Sequence, residues 1–334
     1  MKKLIPILII AIIIGLGGYK YYKYKNPDPV DMTNRAIPVS NNTPTTDGTT
    51  SVALQGGDIA KANASADNLN IQLEPVINGV KKGVVEVGAS GFNAFVVDID
   101  QNKNWELVSK EFGASLAWEG FANTSDIYTQ LKTYIGSIAN KGVAGRNIQF
   151  VVSSGALKVK NIEMVMKAIE EKGFVVNRVT ADQEGKFAAK AAIPKAYRTN
   201  SFCVDMGSGN TKISWFENGA LHSIECAGAK YYAINKTDQE VYNEIAAACN
   251  KVPSSLRTTC FIIGGVPSAL AKESRNGASR FTPLASPDTY SAGDDIKKKS
   301  GINIYRAIYE TAKPNNVIFD WDANFTIGYL LSMN

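Results

Sequence analysis

The chain has 334 residues, long enough for a membrane tether together with one or two domains that carry a substantial core. Its formal charge of +5 sits at one end, because Lys2, Lys3, Lys20, Lys23 and Lys25 precede the first acidic residue and leave the remainder neutral. That distribution argues against a general nucleic-acid footprint, and the single histidine, His222, excludes a multi-histidine metal centre.

Leu4–Gly18 (LIPILIIAIIIGLGG) is uncharged and rich in Ile and Leu. Extended through Tyr22 with Lys20 snorkelling, it reaches about 28 Å as a helix, against a bilayer core of roughly 30 Å. The tyrosines at 19, 21, 22 and 24 suit the headgroup belt. The rival reading is a cleaved signal peptide, but no clear A-x-A site lies close behind the segment and the trailing lysines oppose export. The expectation is a single-pass anchor over residues 1–25. Charges on its two flanks nearly balance, so its orientation is open at this level. Residues 26–78 are rich in Asn, Thr, Ser, Asp, Pro and Gly, which predicts a disordered tether spanning on the order of 40 Å.

From residue 79 onward strands and helices alternate. Apolar runs at 84–87 and 92–97 predict a hairpin, and Thr124 or Ser125 opens a helix with Ile127, Leu131, Tyr134, Ile135 and Ile138 on one face. A strand is expected over 148–154. A helix capped by Asn161 and stopped by Gly173 follows, then a strand over 174–180 and an Ala-rich helix from near Asp182. Further strands are expected at 201–205, 211–216 and 220–226. Next comes a helix at 238–250 opened by Thr237 and Glu240 in capping-box spacing, and then a strand at 260–265. Helices near 301–312 and from about Asn324 complete the chain. The pattern predicts an α/β architecture with mixed sheets. Cys203, Cys226, Cys249 and Cys260 lack metal-ligand spacing and are expected to be buried free thiols.

The hairpin at 84–97 (VVEVGASGFNAFVV) recurs at 203–216 (CVDMGSGNTKISWF). Superposed, Glu86 meets Asp205, Gly88 meets Gly207, Ala89 meets Ser208 and Asn93 meets Lys212. Repetition at this period points to two related half-domains, 79–200 and 201–334. A strand that turns at Gly and small residues presents backbone N–H groups to an anion, and a carboxylate just before the turn can hold a metal through water. Gly88-Ala89-Ser90, Gly207-Ser208-Gly209-Asn210-Thr211 and Gly264-Gly265 are therefore candidate phosphate turns, with Glu86 and Asp205 as candidate metal carboxylates. Glu184, at a helix start, admits two readings. It could activate water beside a bound phosphate, or merely complement the helix dipole for about 0.3–1 kcal/mol.

These motifs occur in the order EVGASGFN (86–93), SSGALKVKN (153–161), QEGKFAA (183–189), DMGSGNT (205–211) and GGVPSALA (264–271), with KEFGASLAWEG at 110–120. In order and spacing the series resembles the exopolyphosphatase and guanosine pentaphosphate phosphohydrolase (Ppx/GppA) family. That family belongs to the actin, sugar kinase and heat-shock chaperone superfamily. The resemblance implies an actin-like, ribonuclease H-like duplicated fold, Glu184 as the catalytic acidic residue, Mg²⁺ at Asp205 and Glu86, and polyphosphate or a nucleotide as ligand. It also implies a phosphoanhydride hydrolase that drives water onto a terminal phosphate. Departures from the pattern leave a second reading, a non-catalytic phosphate-binding or scaffold module at a membrane. Glu86 replaces Asp, the first turn loses a hydroxyl, Lys158 or nothing stands for an Arg, and Val266 replaces Thr. The globular part is expected on the cytoplasmic side, with self-association as a further expectation.

Overall fold

The computed structural model describes residues 71–88, 91–113, 124–275 and 277–333, all within one compact unit, Gln55–Asn334. The anchor and tether expected over 1–25 and 26–78 lie outside the described residues, apart from 71–78. Among the described residues, no helix is long and apolar enough to cross a membrane.

Eleven strands form two mixed sheets among these residues. The first contains β1 (Val80–Gly88), β2 (Gly91–Ile99), β3 (Trp105–Phe112), β4 (Ile148–Val152) and β5 (Val176–Arg178), in the order β3-β2-β1-β4-β5. The second contains β6 (Ser201–Met206), β7 (Asn210–Glu217), β8 (Ala220–Ala227), β9 (Thr259–Gly264), β10 (Phe281–Pro283) and β11 (Asn316–Asp320), in the order β10-β11-β9-β6-β7-β8. In each sheet an antiparallel meander is extended by parallel strands: β1 pairs with β4 and β4 with β5, as β6 pairs with β9 and β9 with β11. The series β8-β7-β6-β9-β11 repeats β3-β2-β1-β4-β5, so the duplication read from the two hairpins is a duplication of topology. Parallel pairing requires crossovers, and helices supply them.

The helices are α1 (Thr124–Asn140), α2 (Ile162–Glu171), α3 (Ala181–Ala192), α4 (Asp238–Lys251), α5 (Gly265–Ser274), α6 (Ile296–Ala312) and α7 (Phe325–Ser332). Ile127, Leu131 and Ile138 of α1 and Val165, Met166 and Ile169 of α2 bury their stripes against Val85, Val87 and Phe150 of the first sheet. Val241 and Ile245 of α4, with Ile304, Tyr305 and Ile308 of α6, do the same against Phe202, Val204 and Ile262 of the second. The third cluster lies between the sheets. Ala188, Ala189 and Ala192 of α3 and Ile327, Leu330 and Leu331 of α7 pack with Val84, Phe95 and Val151 on one side and Cys203, Phe261 and Ile318 on the other. Each fully buried large side chain contributes about 1.5–3 kcal/mol. Small alanines let α3 fit the shared layer, and the two halves are thereby built on a common core.

Several elements differ from the sequence expectation. β3, β11 and α5 have no counterpart in it: β3 is an edge strand with weak alternation, and α5 begins directly on the glycines read as a turn. The strand expected over 174–180 shortens to β5, and the helix expected near 301 starts at Ile296, capped by Asp295. Asn161 precedes α2 as expected, but in a left-handed conformation (φ 73°) with no side-chain cap. Thr180 and Gln183 form a reciprocal capping box that fixes the start of α3, and Glu184 is buried within its first turn. The box at Thr237 and Glu240 forms as read.

Candidate phosphate site

Ligands of open α/β sheets bind beyond the carboxyl ends of parallel strands. The candidate groups gather there: β1 ends in Glu86 and Gly88, β4 runs into Ser153 and Ser154, β6 ends just past Asp205, and β9 ends in Gly264. β5 leads through Thr180 into α3 and delivers Glu184 to the same place.

The two hairpins place equivalent residues opposite one another. Glu86 pairs across β1 and β2 with Asn93, and Asp205 pairs across β6 and β7 with Lys212. In the first hairpin the contact is a neutral hydrogen bond, Asn93 Nδ2 donating to Glu86 Oε2 at 3.0 Å. In the second it is ionic, with Lys212 Nζ 3.6 Å from Asp205 Oδ2. Lys212 reaches further: its Nζ is 2.5 Å from Glu184 Oε2. The other Glu184 oxygen accepts the Ser154 backbone N–H. Lys212, Glu184 and Asp205 are all buried. Gly185 makes this approach feasible, because a Cβ there would lie 2.0 Å from Ser223 Oγ, 2.7 Å from Ser214 Oγ and 2.9 Å from Lys212 Cβ. Only a residue without a side chain lets α3 lie this close to β7 and β8.

The electrostatics follow from three carboxylates sharing one ammonium. Burial works against the charge on Lys212, but Asp205 and Glu184 outweigh it and hold its pKa above the ordinary lysine value. Burial pushes the Asp205 carboxyl upward; Lys212 opposes the shift and Glu184 reinforces it. Burial likewise raises Glu86, aided by the charges of Asp205 and Glu184. Hydrogen bonds from Asn93 and Asn324 oppose the rise. Asn324 does two jobs: its Oδ1 accepts the Thr326 N–H to cap α7, and its Nδ2 donates to Glu86 at 3.2 Å.

The second-half turn is held from behind. Gly207 N–H donates to Asn210 O at 3.0 Å, while Ala229 and Lys230 N–H groups donate to Gly207 O and Ser208 O at 3.0 and 2.8 Å. Asn210 Nδ2 lies 2.8 Å from Glu225 Oε1 and 3.4 Å from Ser154 Oγ, linking the turn to the loop after β4. Ser208 is half-buried and Gly209 exposed, whereas Thr211 is fully buried and its Oγ1 has no hydrogen-bond partner. Gly264 adopts φ 117°, and a Cβ there would lie 2.2 Å from Met206 O, so β9 can tuck against the end of β6. Gly265 then begins α5, which has no side-chain cap at its N-terminus. Of the first turn, Gly88 is described, and Ala89 and Ser90 lie outside the described residues. Lys158, which the resemblance puts in place of an arginine, lies in a short 3-10 turn after β4.

Mg²⁺ has suitable donors in Asp205 and Glu86, since both are hard oxygen ligands. The arrangement around them does not fit a divalent ion. Lys212 Nζ stands among the carboxylates, and among the described residues no three His, Cys, Asp or Glu side chains come together as a metal set. Two unit charges 4 Å apart repel by about 4 kcal/mol at an effective dielectric of 20, and a divalent ion doubles that.

Sequence reasoning placed Glu86, Asp205 and Glu184 near one another; in the structure Glu184 and Asp205 share Lys212, and the charges of both reach the Glu86 carboxyl. It gave no role to Lys212, Asn324 or Ser154. Lys212 carried a usable signal, because it stands opposite Asp205 on one face of the hairpin, where Asn93 stands opposite Glu86. Asn324 and Ser154 carried none, since only tertiary folding brings them in. His222 is an ordinary strand residue, stacked on Trp215 at 5.4 Å, and all four cysteines are free and buried.

No protein-family profile matches the chain, and no curated protein sequence matches it. Solved structures do match. A Ppx/GppA phosphatase from Aquifex aeolicus, a type II variant, shares 16% identity at TM-score 0.56, covering 76% of this chain and 99% of that one. A further structure of the Aquifex aeolicus enzyme shares 17% identity at TM-score 0.58, covering 76% and 100%. An exopolyphosphatase from Cytophaga hutchinsonii shares 14% at TM-score 0.59, covering 76% and 97%. At these identities the likeness is one of fold: about three quarters of this chain folds as the Ppx/GppA phosphatases and exopolyphosphatases do.

Proposed function

We infer that this protein binds a phosphate chain, polyphosphate or a nucleotide, on the exopolyphosphatase fold without hydrolysing it. One observation carries the reading: Glu184, the residue that would activate water, is ion-paired to Lys212 at 2.5 Å and also accepts the Ser154 N–H. A general base must offer an oxygen to the proton it removes, and a carboxylate held by an ammonium and an amide is a weak acceptor for a third donor. Two features support binding. The Gly207–Asn210 turn is strapped by backbone hydrogen bonds, and α5 starts at Gly265 with uncapped amides that favour anions. Lost donors at Lys158 and Val266 weaken grip on a transferring phosphoryl group, each by about 1.5–3 kcal/mol.

Hydrolysis of the exopolyphosphatase type is the second reading, favoured by the placement of Glu184 at the start of α3, where it shares Lys212 with Asp205. It requires Lys212 to release Glu184 when substrate enters. Binding and phosphate release, measured together on the full-length chain with polyphosphate, guanosine pentaphosphate and ATP, with and without Mg²⁺, separate the two. Retention without release supports binding, and release abolished by Glu184→Gln supports hydrolysis. Nucleotide-dependent filaments would instead point to an actin-like scaffold. Anchorage at the cytoplasmic face of a membrane through residues 4–18 belongs to the same proposal on the strength of the sequence, and sedimentation with membranes tests it.

A further inference from the structure

Four elements run from the phosphate turns to the other end of the fold. β1 carries Glu86 near its finish and Lys82 near its start, and β6 ends past Asp205 and is preceded by Arg198. α3 opens with Glu184 and reaches Lys190 after about 9 Å of helix rise. α7, capped by Asn324 beside Glu86, finishes at Ser332 and Met333. Cations gather at that far end. Lys103, in the turn between β2 and β3, donates to Met333 O at 2.5 Å, and Lys190 donates to Ser332 Oγ at 2.9 Å, so two ammonium groups meet at the carboxyl end of α7. The charge of Lys103 also reaches Lys82, and that of Arg198 reaches Lys190. Burial and these like charges hold the Lys82 and Lys190 pKa values below the ordinary lysine value.

The carboxylates at this end are engaged elsewhere. Asp100 is buried and accepts the Asn104 and Ile77 N–H groups at 2.9 and 3.3 Å. Asp98 Oδ1 is buried, and Glu74 is ion-paired to Lys195 at 2.9 Å. Lys82, Lys103, Lys190 and Arg198 make no ion pair among the described residues, and each keeps part of its surface exposed. Like charges gathered without counter-ions fit an anionic partner. The course of the chain indicates which one. Glu74 and Ile77 hold the start of the described chain against this end, so residues 1–70, which include the expected anchor at 4–18, join the domain at its cationic face.

We propose that Lys82, Lys103, Lys190 and Arg198 form the face by which the domain seats on an anionic lipid surface, with the phosphate turns directed away from the bilayer. The inference goes beyond phosphate binding, and it rests on the membrane anchorage proposed above only for bringing the domain to the surface. Basic side chains feel the potential of anionic headgroups within a Debye length, about 8 Å at physiological salt. The seating is therefore sensitive to salt, whereas an apolar anchor is not.

The test is lysine acetylation, mapped by mass spectrometry, on the full-length chain with vesicles of phosphatidylcholine alone or mixed equally with phosphatidylserine. Lys82, Lys103 and Lys190 are expected to react at least about threefold more slowly on the anionic vesicles, because the surface potential holds them there. Lys158 and Lys230, beside the strand ends that carry the phosphate turns, should react alike on both. High salt should abolish the difference without releasing the chain from either vesicle. The double variant Lys82→Gln, Lys190→Gln should lose the protection of Lys103. If that variant unfolds, the salt effect on the wild type decides. Equal acetylation of the wild type on the two vesicles overturns the proposal, as does protection of Lys158 and Lys230 instead, or a folded double variant in which Lys103 stays protected. A chain that sediments with neither vesicle overturns it together with the anchorage. Retention by anionic vesicles alone, with the same three lysines protected, supports the face and counts against the anchor. Failure of polyphosphate binding would count against the proposed function and leave this result intact.

Discussion

Lys212 Nζ and Glu184 Oε2 approach to 2.5 Å in a site where both side chains are buried, which makes them an ion pair withdrawn from water. Breaking a buried pair from one side leaves an uncompensated charge and costs about 3–5 kcal/mol, whereas removing both partners costs far less. Lys212→Met and Glu184→Gln should each lower unfolding free energy by that order, and the double variant should lose less than the sum. Urea denaturation of the four proteins measures this directly. Additive losses would show that the two side chains are not coupled.

Glu86 gives a pH-dependent prediction. Its pKa is raised above the ordinary 4.5, first by burial and then by Asp205 and Glu184. A carboxyl raised on folding binds its proton more tightly in the folded state. Its stabilising contribution is complete below the unfolded value and is lost as pH rises through the folded value. Glu86→Gln keeps the acceptor for Asn93 and Asn324 and removes the titration. Unfolding midpoints should be similar for wild type and variant near pH 4, with the variant gaining as pH rises to neutrality. A variant that is less stable than the wild type at neutral pH would contradict the assignment.

Gly185 is the contact through which α3 reaches β7 and β8. A methyl group there meets Ser223, Ser214 and Lys212. Overpacking of this kind costs about 1–3 kcal/mol even though alanine is the better helix former. Gly185→Ala should therefore destabilise the fold and also weaken polyphosphate retention, because it moves Glu184 and Lys212 together. An alanine variant as stable as the wild type would mean that α3 stands further from the sheet.

The thiols test the two cores that contain them. Burial pushes Cys226 and Cys249 up to about 12, and Cys203 and Cys260 well above the ordinary 9.0. At pH 8 a thiol of pKa 12 is ionised about once in ten thousand, and the thiolate is the reactive form. All four should resist an aromatic disulfide reagent in the native chain and react together in denaturant. Rapid native reaction of Cys226 or Cys249 would show that the layer of α4 opens.

Much of the fold was readable because its signals are local. The repeated hairpins, the capping box at Thr237 and the apolar stripes of α1, α2 and α4 each depend on residues close in sequence, and each appears where the pattern put it. The elements that escaped notice depend on distant partners. β11 is a parallel strand supported by β9, and α5 opens on glycines whose conformation is fixed by Met206. The site divides in the same way. Glu86, Asp205 and Glu184 follow from motif order and Lys212 stands opposite Asp205 in the local hairpin, while the pairing of Lys212 with Glu184 depends on α3 folding back over that hairpin, which no local pattern encodes. Asn324 reaches Glu86 from 238 positions away.

Phosphate release from polyphosphate in the presence of Mg²⁺, with retention of the same polymer followed in parallel, tests the central claim most directly. The full-length wild-type chain should retain the polymer and release no more phosphate than a Glu184→Gln control. Retained polymer with release that rises with protein concentration and disappears in Glu184→Gln would contradict the account, because it would mean that Glu184 is free to act despite its ion pair with Lys212.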